Sequence, residues 1–343
     1  MNKYAKEQFD KIKELKKQIP TSDNKEQLEK DILSITENLK NKAIELFNNP
    51  SNIKLFLDNI GKFNNYSHNN ILLIFLQKPN ATFVAPFQTY KKLGYSVKKS
   101  PDSISIIVPR FSTIVQDNRD NTLKYYNSLS DEEKQMYKDK DNDTFTFHHK
   151  KLSYFSLGTV FDISDSTMPY EDIKEKLHPS IDNENAKEYL NTLEELVKDN
   201  GFNLKYKKGI KEDGYCNFQD KEIVIGANQT NLVKFKTLLH EFAHSLAHTN
   251  LENNYKEYQN NRNKYETEAE SIAYVVSNYF NLNVPEFSET YLYSWSRNKD
   301  FKEIDSSLET ICSYSQMIIN KLNDKMKNKD LDYSIQNLNE VAI

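Results

Sequence analysis

The sequence predicts an α+β fold in two units, and three features carry that reading. Runs with helical amphipathicity, such as 184–201 and 264–280, are interspersed with short strand-like runs at 103–111, 154–166 and 222–225. The length, 343 residues, suffices for two cores of ordinary size. The chain also changes character near residue 184, where a new helix opens after a polar stretch.

Composition narrows the function classes. Hydrophobic residues make up 37% and charged residues 28%, with no apolar run of eighteen residues, so no membrane span is expected. The opening MNKYAKEQFDKIKELKK is too polar for a signal peptide. Two cysteines, Cys216 and Cys312, make no disulfide framework and suit a reducing cytoplasm. The seven glycines form no phosphate-cradling loop, which argues against nucleotide-driven chemistry. A net charge of −4 means that any nucleic-acid binding must come from a local patch.

Taken in order, residues 1–50 read as a charged helical extension broken near Pro20, with Leu28, Ile32, Ile35 and Leu39 near helical spacing. Residues 51–168 form the first unit. A helix restarts at Pro50-Ser51, a short apolar helix covers 71–76, and SISIIVPRF at 103–111 alternates as a strand ending near Pro109. Residues 112–150, rich in Asp, Lys and Asn, are expected as a mobile insertion. The second unit, 184–325, opens with a helix closed by Gly201. GYCNFQDKEIVIG follows as a hairpin, then a histidine-rich helix, a polar loop at 250–263, a helix at 264–280 and further helices. Residues 326–343 read as a flexible tail.

TLLHEFAHSLAH, residues 237–248, carries the chemistry. His240 and His244 lie one helical turn apart on one face, where two imidazoles can share a zinc ion at roughly 2.0–2.1 Å. Glu241 follows directly, placed to take a proton from water and return it to a leaving amine. This is HExxH, whose chemistry is zinc-dependent hydrolysis. His248 lies about 12 Å along the helix axis from His240, so one ion cannot hold both, and it reads as a helix-end or structural histidine.

The third ligand is expected from KYETEAESIAYVVSNYF, where Tyr265, Ala269, Ile272, Val276 and Tyr279 form the apolar stripe. Glu266 and Glu268 flank that stripe, while Glu270 is turned further away. Glu266 is therefore the better ligand. Glu270 suits an outer partner that fixes a histidine tautomer, or the alternative ligand. Two histidines and one glutamate leave a fourth position open, the arrangement of a catalytic site with one Zn2+ per chain. The run EIVI is expected as an exposed edge able to pair with an extended peptide.

In the first unit, Lys78, Lys91, Lys92, Lys98, Lys99 and Arg110 face a single acid, Asp102, with Phe83, Phe87, Tyr90, Tyr95 and Phe111 among them. Cations can track a phosphate backbone while rings stack on unpaired bases, which suits single strands. Lys91, Lys92, Tyr95, Lys98, Lys99 and Arg110 are the candidate DNA contacts.

YSHNNILLIFLQKPNATFVAPFQTYKKLGYSVKK, LGTVFDISDS, LLHEFAHSLAH, YETEAESIAYVVSNYF and YLYSWSR occur in an order that resembles the ArdC-type antirestriction proteins, including the LtrC-like versions of conjugative plasmids and transposons. The resemblance covers about 55–325 without the 112–150 insertion. It implies a single-stranded-DNA-binding N-terminal α/β module and a C-terminal zincin-like metallopeptidase domain related to the ImmA/IrrE and SprT groups. It also implies cytoplasmic protection of incoming, transiently single-stranded plasmid DNA from restriction, with single-stranded DNA as partner; a rival reading makes the chain a protease that cleaves a repressor or restriction subunit. Within it His240, Glu241 and His244 match HExxH, and Glu266 matches the glutamate three residues before an alanine, here Ala269.

Overall fold

In the computed structural model, residues 49–99, 101–139, 142–173, 179–182, 184–249, 255–282 and 301–327 are described, together with Lys30 and Phe47. The rest of the expected N-terminal extension, the YLYSWSR segment and the tail from 328 lie outside the described residues.

Helix α1 (Pro50–Lys62) starts where the Asn49 side chain accepts the Ser51 N–H and Pro50 takes the first turn. It buries Ile53, Phe56, Leu57 and Ile60, a stripe at helical spacing. Helix α2 (His68–Gln77) is buried almost throughout from Asn70 to Leu76. Strand β1 (Val84–Ala85) and helix α3 (Phe87–Lys92) follow, then β2 (Ser103–Asp117), β3 (Thr122–Tyr125), α4 (Asp131–Lys138) and β4 (Phe145–Asp162). These strands form an antiparallel sheet in the order β1-β4-β2-β3.

The expected excursion at 112–150 is therefore a correction. Its residues extend the β2–β4 ribbon far beyond Pro109 and fold a third strand and a helix onto its end. Two causes hid it. First, Pro109 does not end the strand. The side-chain amides of Asn70 and Gln77 each bond both the N–H and the C=O of Ile107 and Ser105, on the edge of β2 away from β4. Pro109 continues that outward-facing alternation, so its missing N–H removes no bond to β4. Second, the ribbon end has a small core of its own, Val115, Leu129 and Phe145 with Tyr126 and Tyr137, whose outermost members Val115 and Phe145 are about 30 residues apart in sequence.

The second half opens with α5 (Ala186–Asp199), closed as expected by Gly201 at φ 82°. Strands β5 (Asn203–Lys207), β6 (Gly214–Asn217) and β7 (Glu222–Gly226) make a sheet ordered β5-β7-β6. The expected β6–β7 hairpin forms. β7, however, is not an edge: β5 pairs with its other side in parallel, and β6 is the edge strand nearest the histidine helix. The order follows from the β5–β6 connection passing over the place that β7 then fills, a choice made by packing and not by local sequence.

Helix α6 (Asn231–Ala247) begins at Thr230, whose hydroxyl accepts the Val233 N–H. Short helix α7 (Tyr255–Asn260) occupies part of the expected loop, followed by α8 (Arg262–Tyr279) and α9 (Phe301–Lys327). One hydrophobic core runs through both expected units, taking Phe56 and Ile74, Leu238 and Phe242, Ile272 and Val276, and Ile311 and Ile318 together. The division expected between 168 and 184 is thus a boundary in sequence and not in the core. α1 lies against α8, where Asp58 accepts hydrogen bonds from Tyr274 and Asn278. Among the described residues, no helix is long and apolar enough to cross a membrane.

Candidate metal centre

The crossing of α6 and α8 brings His240, His244 and Glu266 together. The apolar faces of both helices enter the common core, through Leu239, Phe242 and Ala243 on one and Ala269, Ile272 and Ala273 on the other. The polar groups beside those faces are consequently pressed against each other. The two Nε2 atoms lie 3.2 Å apart, and Glu266 Oε2 is 3.6 Å from that of His240 and 3.4 Å from that of His244. Bonds of about 2.0–2.1 Å at tetrahedral angles place donor atoms roughly 3.3–3.4 Å apart. This two-nitrogen, one-oxygen set therefore matches the spacing that a four-coordinate cation requires, with a fourth direction left for water or substrate.

Each member is held from outside. Glu270 Oε2 lies 3.1 Å from His240 Nδ1, the contact of an outer partner. His244 Nδ1 lies 3.1 Å from His248 Nδ1. Tyr258 donates to Glu266 Oε1 at 3.2 Å. Sequence reasoning missed Tyr258 and the part that His248 plays. His248 caps the end of α6, as a helix-end residue should, but it also stands four residues after His244 on the same face. That spacing was the available signal.

Burial and charge are unevenly distributed. Burial opposes charge on His240, yet the carboxylates of Glu266 and Glu270 outweigh it and push its pKa up to about 10. Burial pushes His244 down to about 4. Burial also opposes charge on Glu266, but its close contacts with His240 and His244 hold its carboxyl well below the usual range. Burial lifts Glu241 to about 7, in the range of a group that both takes and returns a proton near neutrality.

Glu241 and His240 face a cavity of about 420 Å3 that Asp213, Gly214, Lys236, Thr237 and Glu270 also line. Gly214 at the start of β6 permits its close approach to α6, since a Cβ there would stand 2.8 Å from Thr237 Cγ2 and 3.0 Å from the Val224 carbonyl oxygen. The Cys216 backbone on the same strand faces Glu241 and favours its charged form, against the larger effect of burial. Burial pushes the Cys216 thiol itself up, away from nucleophilic use.

The candidate DNA contacts do not form one set with the metal centre, and they divide among themselves. Lys91 and Lys92 are exposed at the end of α3, and Lys99 is exposed beyond it. Lys98 donates to the Ser164 carbonyl and Tyr95 to Asp172, so both have internal partners. Arg110 stands on the ribbon, where it donates to Ser156. On the other face of the ribbon Phe111, Phe147 and Leu152 are about half exposed with exposed Lys150, while exposed Lys151 lies on the face of Arg110; of these side chains, sequence reasoning singled out only Phe111. The run FTFHHKKLSYF carried that signal in its mixture of rings and cations.

Comparison with known proteins adds three findings. Residues 22–161 match the family model for the N-terminal domain of anti-restriction factor ArdC. The Bacillus anthracis protein pXO2-81 is 24% identical over 324 residues, covering 89% of this chain and 54% of its own length, so the chain spans about half of that relative. The metal-free crystal structure of antirestriction protein ArdC from plasmid R388 is similar at 17% identity and TM-score 0.42, over 77% of this chain and 86% of that one. The Mn(II)-bound form gives 17% and 0.42, over 76% and 84%.

Proposed function

Because residues 22–161 carry an ArdC-type N-terminal domain, we propose that this chain is an antirestriction-type protein of mobile elements. In this reading it binds single-stranded DNA with its N-terminal half and hydrolyses a peptide bond at a zinc site in its C-terminal half. The observation that carries the chemistry is the donor triad of His240, His244 and Glu266 at 3.2–3.6 Å, beside a buried glutamate that faces a cavity.

His240, His244 and Glu266 would hold the ion. When bound, it supplies a Lewis acid that polarises a carbonyl and makes water acidic near pH 7. Glu241 takes the proton from the attacking water and passes it to the departing amine, which its pKa of about 7 suits in both directions. Glu270 orients His240 from behind. The β6 edge offers its free backbone groups to an extended peptide running across the cavity mouth. On the N-terminal half, Lys91, Lys92 and Lys99 supply phosphate contacts. The exposed rings and cations of the ribbon, with Arg110, supply stacking and further charge.

Fluorescence anisotropy with labelled single-stranded and duplex DNA at two salt concentrations tests the DNA half. Salt-weakened binding that prefers single strands is expected; equal failure to bind either form would overturn it. Glu241→Gln tests the other half. The variant should keep metal and fold while losing hydrolysis, and undiminished protection of DNA by it would favour the second reading. In that reading the protein is a DNA-binding shield whose metal only stabilises the fold, an option supported by the core that the metal helices share with α1 and α2.

A further inference from the structure

Resting on the metal reading above, we infer that His248 and Glu268 are positioning residues for the ion, and that α9 completes the site through Ser307. Four side chains from three helices form one buried hydrogen-bonded chain behind His244. His244 Nδ1 is 3.1 Å from His248 Nδ1, and His248 Nε2 is 2.9 Å from Glu268 Oε2. Ser307 on α9 donates to Glu268 Oε1. His244 is 4% exposed, His248 and Glu268 2% each, and Ser307 not at all.

The direction of the chain follows from its far end. Glu268 accepts from Ser307 at one oxygen, near which Lys264 Nζ stands at 3.7 Å, and its other oxygen accepts from His248 Nε2–H. With its one hydrogen on Nε2 toward Glu268, His248 presents a bare Nδ1. That lone pair accepts the Nδ1–H of His244, which leaves His244 Nε2 bare and turned toward His240 and Glu266. The reverse order would place a hydrogen on His244 Nε2, where the cation must bind. A carboxylate two side chains away thus selects the metal-binding tautomer.

Packing alone does not account for this arrangement. An imidazole and a carboxylate buried this deeply are costly unless partnered, and apolar side chains would fill the same space without that cost. His240 has the contrasting support, a direct contact to the part-exposed Glu270. The two zinc histidines are therefore held by different devices, one at the cavity and one inside the core.

The test is Zn2+ affinity of the full chain, by competition with a chromophoric chelator, alongside the Tm of the metal-free protein. His248→Phe and Glu268→Met keep bulk but remove the acceptor; His248→Asn and Glu268→Gln retain one near the native position. The first pair should lose roughly 10–100-fold in affinity and the second pair about threefold or less, whatever their order in Tm. Native affinity in a folded His248→Phe or Glu268→Met variant would overturn the inference. So would affinity losses that simply track Tm across all four. If His248→Phe does not fold, the Glu268 pair decides. An unmodified chain that takes up no Zn2+ would instead defeat the metal reading, and this inference with it.

Discussion

At the crossing of α6 and α8, charge is buried and each imidazole faces a partner, whereas along the β2–β4 ribbon charge and aromatic surface face solvent. The crossing belongs to the largest core of the molecule; the ribbon end is held by a cluster of three buried residues. The contrast separates two ways of building function. Ligands for a small ion need fixed spacing and therefore rigid elements packed on a core. In the DNA-binding reading proposed above, a surface for a long, flexible polymer needs reach and exposed rings, and the two-stranded ribbon offers both.

The sharpest way to break this comparison is to remove a ligand. His244→Ala should weaken Zn2+ binding by more than the roughly 100-fold that an outer partner commands, measured by chelator competition, while nucleic-acid affinity stays unchanged. A parallel fall in both would mean that the regions are coupled.

The reciprocal experiment acts on the ribbon. Phe145 packs with Val115 and Leu129, and the Arg119 guanidinium and Lys124 ammonium lie 5.2 and 5.6 Å from its ring centroid. Phe145→Ala should cost about 3 kcal/mol locally, the low end for a buried phenylalanine because the cluster is small. Hydrogen exchange should accelerate in β3 and the ribbon end, with Zn2+ affinity intact. Loss of that affinity would show that the ribbon end is no independent unit.

Acid sharpens the picture of the metal centre. Glu266 and Glu270 keep a proton on His240 up to about pH 10 in the metal-free protein, so an arriving cation must displace it. Apparent Zn2+ affinity should therefore rise with pH, about tenfold per unit between 6 and 8, with one proton released. Calorimetry in buffers of different ionisation enthalpy counts that proton. A count of zero would show that His240 is already neutral.

The smallest effect is expected on the exposed face. Lys150→Ala and Lys151→Ala should each lower the slope of log affinity against log salt for single-stranded DNA by about 0.7, with little change in stability. An unchanged slope would remove the ribbon from the DNA surface and leave Lys91, Lys92 and Lys99 as its candidates.

Much of the site was legible because helical spacing is a local property. His240 and His244 lie one turn apart wherever the helix forms, and the stripe of Tyr265, Ala269, Ile272 and Val276 fixes which way Glu266 and Glu270 turn. Gly201 marked the end of α5 for an equally local reason, its positive φ. The ribbon was illegible because Val115, Leu129 and Phe145 meet only when distant segments pair, and because Pro109 looks like a terminator until its outer edge is seen. The edge role of β6 depended likewise on where β5 docks.

By itself, then, the sequence determined the α+β class, the helix carrying HExxH and the helix carrying its acidic partners, since each follows from periodicity within one segment. Tertiary structure alone decided that one core unites both halves, that residues 112–150 lengthen a sheet, and that His248, Glu268 and Ser307 stand behind His244. The physical reason is that hydrogen-bond partners and strand neighbours far apart in the chain are chosen by packing, and packing has no spacing that can be read along a sequence.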